Sequence, residues 1–452
     1  MTEPQQERPQ QQGQQGQLRA NAAASTASAT SAAPTASAGV TEERVTSMQW
    51  VFAVLTAGLL AAVVWKDLLT GGGIVGGDTY PYFFPQKVVV QDAWSHGEIP
   101  LWHDRTGLGY PLHAESQAGV FYPPNLILCR LTDVNAAYNA GILLHYILAC
   151  VFTWRFARCQ GLRQGSALLA AMVFVYGWFP ARLSLEWSII GGVWFPCCLW
   201  LTDRLIRQPS ALRFVLLSAA LGLHLLAGHF TLAFITELTC LAYAVASGLR
   251  ASGGEQRDVS QHFGTLRSKI PQLLPTLLTG TALVTALLLA AVQLVPTLEL
   301  RQLSQRDGAH EVFNPAYGHM PPVYLTQLIA GWWYWHSPEI VMSREMLRHP
   351  WLASSADTNQ VEAHLYVGLI PLLLLTGLLS SRVRSLLKGR PWKMWMVLSA
   401  LAVLYGFGWF VPITRHLPGF GFFMGPARYT IITAMGFSVV SGLVLDALQR
   451  RQ

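Results

Sequence analysis

The stretch LRFVLLSAALGLHLLAGHFTLAFITELTCLAYAVASG, residues 212–248, carries only Arg213 and Glu237 as charged residues. It is too long and too apolar for one core helix of a soluble domain. A bilayer crossing takes about 20 predominantly apolar residues, so the stretch reads as two crossings, 212–229 and 230–248. They nearly touch at Gly228-His229, which implies a very tight turn. Working outward, similar runs lie at 49–68, 136–156, 166–181, 186–202, 272–298, 364–381, 392–413 and 427–447. Of the 452 residues, 52% are hydrophobic and 12% charged. Soluble domains carry about 25% charged residues, so a water-soluble enzyme is excluded as the default. The expected fold is an all-α polytopic membrane protein with about ten transmembrane helices.

The formal net charge of +7 does not point to nucleic acid, because the basic residues lie mostly in short loops between apolar runs. Alternate connections hold Arg155, Arg158 and Arg163; Arg204, Arg207 and Arg213; Arg250, Arg257, Arg267 and Lys269; and Arg382, Arg384, Lys388, Arg390 and Lys393. The connections between them hold little beyond Arg182, Arg415 and Arg428. By the positive-inside rule the first set is cytoplasmic. Both termini then lie in the cytoplasm, and two long loops, 69–135 and 299–363, face outward.

Residues 1–45 form a Gln-, Ala- and Ser-rich cytoplasmic tail without apolar periodicity, and disorder is expected there. The polytopic domain is expected over 46–452. The first long apolar run starts near Met48, too late for a signal peptide. The six cysteines include no CxxC and suggest neither a zinc nor a redox site.

The first outward loop begins GGGIVGGDTYPYFFPQ and continues HGEIPLWHDRTGLGYPLHAESQAGVFYPPNLIL. Its aromatic content argues for short amphipathic helices on the membrane surface, with Trp94, Trp102 and Phe121 turned toward the core. Asp78 follows Gly76-Gly77 directly after the first span. A carboxylate there can take a proton from an incoming hydroxyl; the plainer reading is that it caps the following helix. GGGIVGGD lacks the Lys-Ser/Thr of a phosphate-binding P-loop. The pairs His103-Asp104 and His113-x-Glu115 are weak metal signals, and no metal site is expected from them. His145, His224 and Glu237 fall inside apolar spans, where ionisable groups are expensive. The cluster GWWYWHSPE at 331–339 reads first as an interfacial aromatic belt and second as a sugar-stacking surface.

The first-loop sequence resembles that of YfhO-type bacterial membrane proteins, within the GT-C class of polyprenol-phosphate-dependent glycosyltransferases. Further similar segments follow in order: GHF at 228–230, QLVPTLELRQLSQR at 293–306, YVGLIPLLLL at 366–375 and LPGFGFFMGPARY at 417–429. The resemblance covers roughly residues 50–447, and this chain is shorter than typical members of that family. It implies a GT-C-like enzyme of the bacterial cytoplasmic (inner) membrane. Such an enzyme moves a sugar from a polyprenyl-phosphate donor to an extracytoplasmic acceptor with inversion. It implies Asp78 as general base, and Arg306, Arg428 and Arg301 as ligands of the donor phosphate. His229, Asp104, His113, Glu115 and Gln117 are the accompanying substrate-binding candidates. The resemblance fixes no cofactor, but some members of the class use a divalent ion, Mg or Mn, and the acidic first loop offers ligands. The shorter chain raises the expectation of a partner protein supplying what longer members carry. A transporter of a lipid-linked saccharide and a non-catalytic scaffold are the competing readings.

Overall fold

The computed structural model describes residues 45–255, 270–304, 314–331 and 361–450. The N-terminal tail, Arg306 and all of the 331–339 cluster except Gly331 lie outside the described residues.

The described chain is built from helices; the sole β feature among these residues is an isolated bridge between His103 and Tyr110. The helices named below are α1 Ser47–Val64, α2 Phe84–Ser95, α3 Pro123–Leu131, α4 Val134–Cys159, α5 Gln164–Trp178 and α6 Glu186–Gly192. They continue as α7 Trp194–Arg207, α8 Ala211–Leu226, α9 Phe230–Glu255, α10 Ile270–Leu289 and α11 Ala291–Gln302. The last four are α12 Leu369–Thr376, α13 Ser381–Leu386, α14 Trp392–Gly406 and α15 Thr430–Gln449. Among the described residues, seven helical segments are long and apolar enough to cross a membrane. Three shorter apolar segments, Ala211–Leu226, Leu369–Leu379 and Trp392–Gly406, fall where the other three crossings are expected.

Several boundaries differ from the sequence reading. The third apolar segment extends to Arg182 through a 3-10 turn over Pro180–Arg182, and the fourth to Arg207 because α7 continues unbroken past 202. The run expected over 272–298 breaks at Ala290 into α10 and α11. The first outward loop does contain surface helices, α2 and α3. Trp94 and Phe121 pack against Val89, Val90, Leu112 and Val120 as expected, but Trp102 is 55% exposed. It lies over Gly109, whose missing side chain makes room for the indole.

Helix ends follow ordinary capping chemistry. Thr46 and Gln49 form a reciprocal capping box at α1. The Asp133 carboxylate accepts from the amides of Asn135 and Ala136 at the start of α4. In hydrocarbon, helices gain little from hiding apolar surface and associate through close packing of small residues. On α1, Ala53, Ala57 and Ala61 are buried on one stripe, while Val51, Leu55, Leu59 and Val63 on the other side are exposed. The helix packs on α4. By contrast α15 is surrounded by α5, α12 and α14. Any side chain at Gly436 would meet Ser399, and one at Gly442 would meet Leu162 and the carbonyl of Ser166. Ser438 donates to the Ala170 carbonyl and Thr433 to that of Ser399, which locks α15 to α5 and α14.

The two ends of the bundle are chemically distinct. Arg163, Arg390 and Arg450 all approach the buried carboxylate of Asp446. Nearby, Asp203 is held bidentately by Arg207 and accepts from Tyr243, which in turn accepts from Gln160. These residues come from the connections read as cytoplasmic. Arg182 lies at the other end of the Gln164–Arg182 segment, whose 19 residues span about 28 Å at helical rise.

Candidate functional site

At that second end the first outward loop enters through two glycines. Gly76 and Gly77 have φ of 110° and 53°, which favours glycine. A Cβ on Gly77 would lie 2.4 Å from the Ser184 hydroxyl, so the loop is pressed onto Ser184. Asp78 comes next and is exposed. Its carbonyl opens the π-helical turn Thr79–Phe83 by accepting from the amides of Tyr82 and Phe83, but its carboxylate makes no capping bond. The capping role is therefore not what Asp78 does here. Thr79 is buried beside it and reaches the Ser184 carbonyl.

Ser184 belongs to a segment dense in buried charge. Arg182 is fully buried and donates to the carbonyls of Trp178, Glu362 and His364, with its guanidinium 3.4 Å from the centre of the Trp178 ring. Glu186 pairs with Lys87 of α2 at 2.8 Å, both side chains being buried. A carboxylate in the first turn of α6 is also favoured by the helix dipole.

Trp187 follows. Its ring stacks on His229 with centroids 3.9 Å apart, and Arg428 lies 4.8 Å from the Trp187 ring centre. The Arg428 fork is engaged bidentately by Glu362, with Nε to Oε2 at 2.9 Å and Nη2 to Oε1 at 2.7 Å. Nη1 donates to Thr231 at 3.1 Å and lies 3.4 Å from His229 Nε2. The Leu232 amide meanwhile points at His229 Nδ1 from 3.3 Å. A neutral imidazole accepts at one nitrogen only, so the two contacts on His229 are not both hydrogen bonds at once. Gly425 lets Arg428 fold back: a Cβ there would lie 2.5 Å from Arg428 Nε. A Cβ on Gly318 would lie 2.9 Å from Glu362 Oε2.

The remaining first-loop candidates divide. Glu115 is half-buried and accepts from the Tyr82 hydroxyl, from Gln117 N and Nε2, and from Gln86 Nε2. Burial raises the Glu115 carboxyl above its ordinary range, against those hydrogen bonds. Burial, and then the neighbouring Glu115 charge, push the Tyr82 hydroxyl far up, so the phenol keeps its proton and donates it. Between Glu115 and Gln117, Ser116 has φ of 82°, the only positive value at a non-glycine among the described residues. Its hydroxyl donates to the Gly228 carbonyl at 2.8 Å. A Cβ on Gly228 would lie 2.2 Å from the Ser116 carbonyl oxygen. The strained turn is thus clamped to the residue preceding His229.

His113 has a different occupation. Pro296, inside α11, has no N–H for the carbonyl of Val292. His113 Nε2 reaches that carbonyl at 2.8 Å, while Gln293 and Thr297 bond the carbonyls of His113 and Ala114. Its ring anchors the loop to a proline-opened helix. Asp104 is exposed within the 103–110 hairpin. Arg301 is half-buried and lies over the Phe422 ring at 4.1 Å, beside the 417–429 segment.

The Ser116–Gly228 clamp places Glu115 and Gln117 beside the segment of His229, which with Trp187 contacts Arg428; Asp78 is placed near them only through its neighbours Gly77 and Thr79, which pack on Ser184. Asp104 is not among them. Sequence reasoning missed Trp187, Glu362, Thr231 and Tyr82. The available signal was that Glu186-Trp187 and Glu362 put isolated acids at the borders of apolar runs. Among the described residues, no three His, Cys, Asp or Glu side chains assemble a metal site. Protein-family models, curated proteins and solved structures were all compared with the chain, and none matches it.

Proposed function

We propose that the chain is an integral-membrane glycosyltransferase that moves a sugar from a polyprenyl-phosphate donor to an extracytoplasmic acceptor. The reading is supported by one observation above others. Asp78 is exposed and uncapped, and its flanking Gly77 is packed on the segment that carries Trp187, the platform of His229 and Arg428. From Ser184 to Trp187 is three residues, at most about 10 Å of chain.

In this reading Asp78 takes the proton of an acceptor hydroxyl. The hydroxyl oxygen attacks the anomeric carbon, the bond from that carbon to the phosphate oxygen breaks, and polyprenyl phosphate leaves. Arg428 stabilises the charge gained by the leaving phosphate. Because Glu362 already occupies its fork, a lipid phosphate must share or displace that carboxylate. Arg301 guides the phosphate from the loop edge, and Arg306 belongs to the same proposal from outside the described residues. Glu115, Gln117 and His229 bind sugar hydroxyls, whereas His113 acts by holding the loop and Asp104 meets the acceptor at the rim. Among the described residues no cluster of three His, Cys, Asp or Glu side chains offers a divalent site, and no step is routed through Mg or Mn. The orientation belongs to the same proposal: ten crossings in a bacterial inner membrane, both termini cytoplasmic, and Asp78 outside.

The test is sugar transfer from labelled polyprenyl-phosphate sugars by membranes containing wild-type protein or Asp78→Asn. Loss of transfer by about 10²–10⁴-fold at equal expression is expected for a general base. Transfer that survives unchanged in Asp78→Asn removes the assignment.

A transporter of a lipid-linked saccharide is the second reading. It is favoured by His224, both of whose ring nitrogens are buried without a hydrogen-bond partner among the described residues, and by the similarly unpartnered Glu237 Oε1. Such groups inside a membrane mark pathways. Movement of the donor lipid across vesicles without sugar transfer selects this reading over the enzyme.

A further inference from the structure

The end of the bundle that gathers on Asp446 holds an open pocket of about 420 Å³, lined by Arg384, Ser385, Lys388, Arg390, Trp392 and Lys393 among others. No acidic side chain lines it. The sequence has no Asp or Glu between Glu362 and Asp446, so the segment that lines the pocket carries no acid of its own. Asp446 is 3.9 Å from Arg390 but is also approached by Arg163 and Arg450. One carboxylate among three guanidinium groups leaves the neighbourhood cationic.

Two of the pocket cations are fixed by bonds that leave their charge intact. Arg384 Nη1 donates to the carbonyls of Leu378 and Leu379 at 2.7 and 2.9 Å. Arg390 Nη1 donates to those of Gln160 and Gly161 at 3.1 and 2.8 Å. Lys388 and Lys393 are exposed at the rim. An anion entering such a site meets charges already in place and pays little ordering entropy. Exposed apolar side chains border it: Leu379 in the turn before α13, Leu386 at the end of α13, and Val397 and Leu401 on α14. Trp392, an interfacial residue type, lies between them.

We infer that this pocket binds the phosphate headgroup of an anionic phospholipid, whose acyl chains run along the exposed Leu379 and Leu386 beside α13 and the exposed Val397 and Leu401 of α14. The site lies at the opposite end of the bundle from Asp78 and does not depend on the glycosyltransferase reading.

The experiment is native mass spectrometry of the purified full chain with phosphatidylglycerol, cardiolipin or phosphatidylcholine, for wild type and the Lys388→Gln/Lys393→Gln variant. Each cation near an anionic headgroup is worth about fivefold in binding. The double variant is therefore expected to retain phosphatidylglycerol and cardiolipin about 25-fold less well. Its phosphatidylcholine retention and thermal unfolding should match wild type. Equal retention of anionic lipid by both proteins overturns the inference, as does equal retention of phosphatidylcholine and phosphatidylglycerol by wild type. Displacement of phosphatidylglycerol by millimolar inorganic phosphate overturns the lipid assignment and leaves a site for a soluble anion.

Discussion

The Arg428 end and the Asp446 end of the bundle use the same ingredients in opposite proportions. At the first, Glu362 holds Arg428 through two short hydrogen bonds, and Lys87 meets Glu186 through one contact of 2.8 Å, all four side chains being nearly buried. At the second, Asp446 is nearly buried but is shared among Arg163, Arg390 and Arg450, two of which are about half exposed. Paired buried charges hold geometry, since removing one partner strands the other. An excess of half-solvated cations sets a field and an orientation. The difference teaches that the Arg428 end is a fixed framework, while the basic end is an electrostatic surface.

The contrast can be broken by substitution. Glu362→Ala leaves Arg428 without its carboxylate at low exposure and should cost about 3–5 kcal/mol, read as early thermal unfolding in detergent. Adding Arg428→Met should recover most of that loss; a double variant as unstable as the single one would show that the pair is not the framework. Gly228→Ala should cost about 2–3 kcal/mol, from an unfavourable positive φ and displacement of the Ser116 carbonyl. Its signature is loss of the Ser116 clamp, visible as increased proteolysis in the first outward loop. At the other end, Asp446→Asn should cost only about 1–2 kcal/mol, because its partners remain partly hydrated. The deficit should shrink at high salt, whereas that of Glu362→Ala should not.

The smallest effect sharpens the picture by pH. The Glu115 carboxyl is raised in the folded protein, so the native state binds more protons than the unfolded chain between the ordinary carboxylate range and the raised value. Stability from this group is present at low pH and declines as pH rises through that window. Glu115→Gln keeps an acceptor for Tyr82 and cannot ionise. Its unfolding temperature relative to wild type should therefore climb between about pH 4.5 and neutral pH. A constant difference across that range would show that Glu115 does not titrate with folding.

Much of the architecture was legible because apolar length is a local property. Every apolar run read from the sequence contains a helix, and among the described residues Arg163 and Arg390, from two arginine-rich connections, meet at Asp446. The boundaries were less so. Nothing local marks the break at Ala290, and Gly368, with φ of 96°, starts α12 later than the apolar run does. In the site, Asp78, His229 and Arg428 were legible from their places at span ends. Trp187 and Glu362 were not, since their importance comes from contacts made across the fold: Trp187 to His229, and Glu362 to Arg428. His113 shows the limit most clearly. Its ring answers a carbonyl freed by Pro296, a relation invisible until both residues are placed.

The alanine stripe of α1 bears on how the protein is made. Ala53, Ala57 and Ala61 give this helix a narrow seam, and Val51, Leu55, Leu59 and Val63 on the opposite side are exposed. During synthesis α1 is complete some 70 residues before the start of α4, its main contact. Its high apolar content fits it to span a bilayer before α4 is made. Docking is then a late event, a shallow snap of one finished helix onto another.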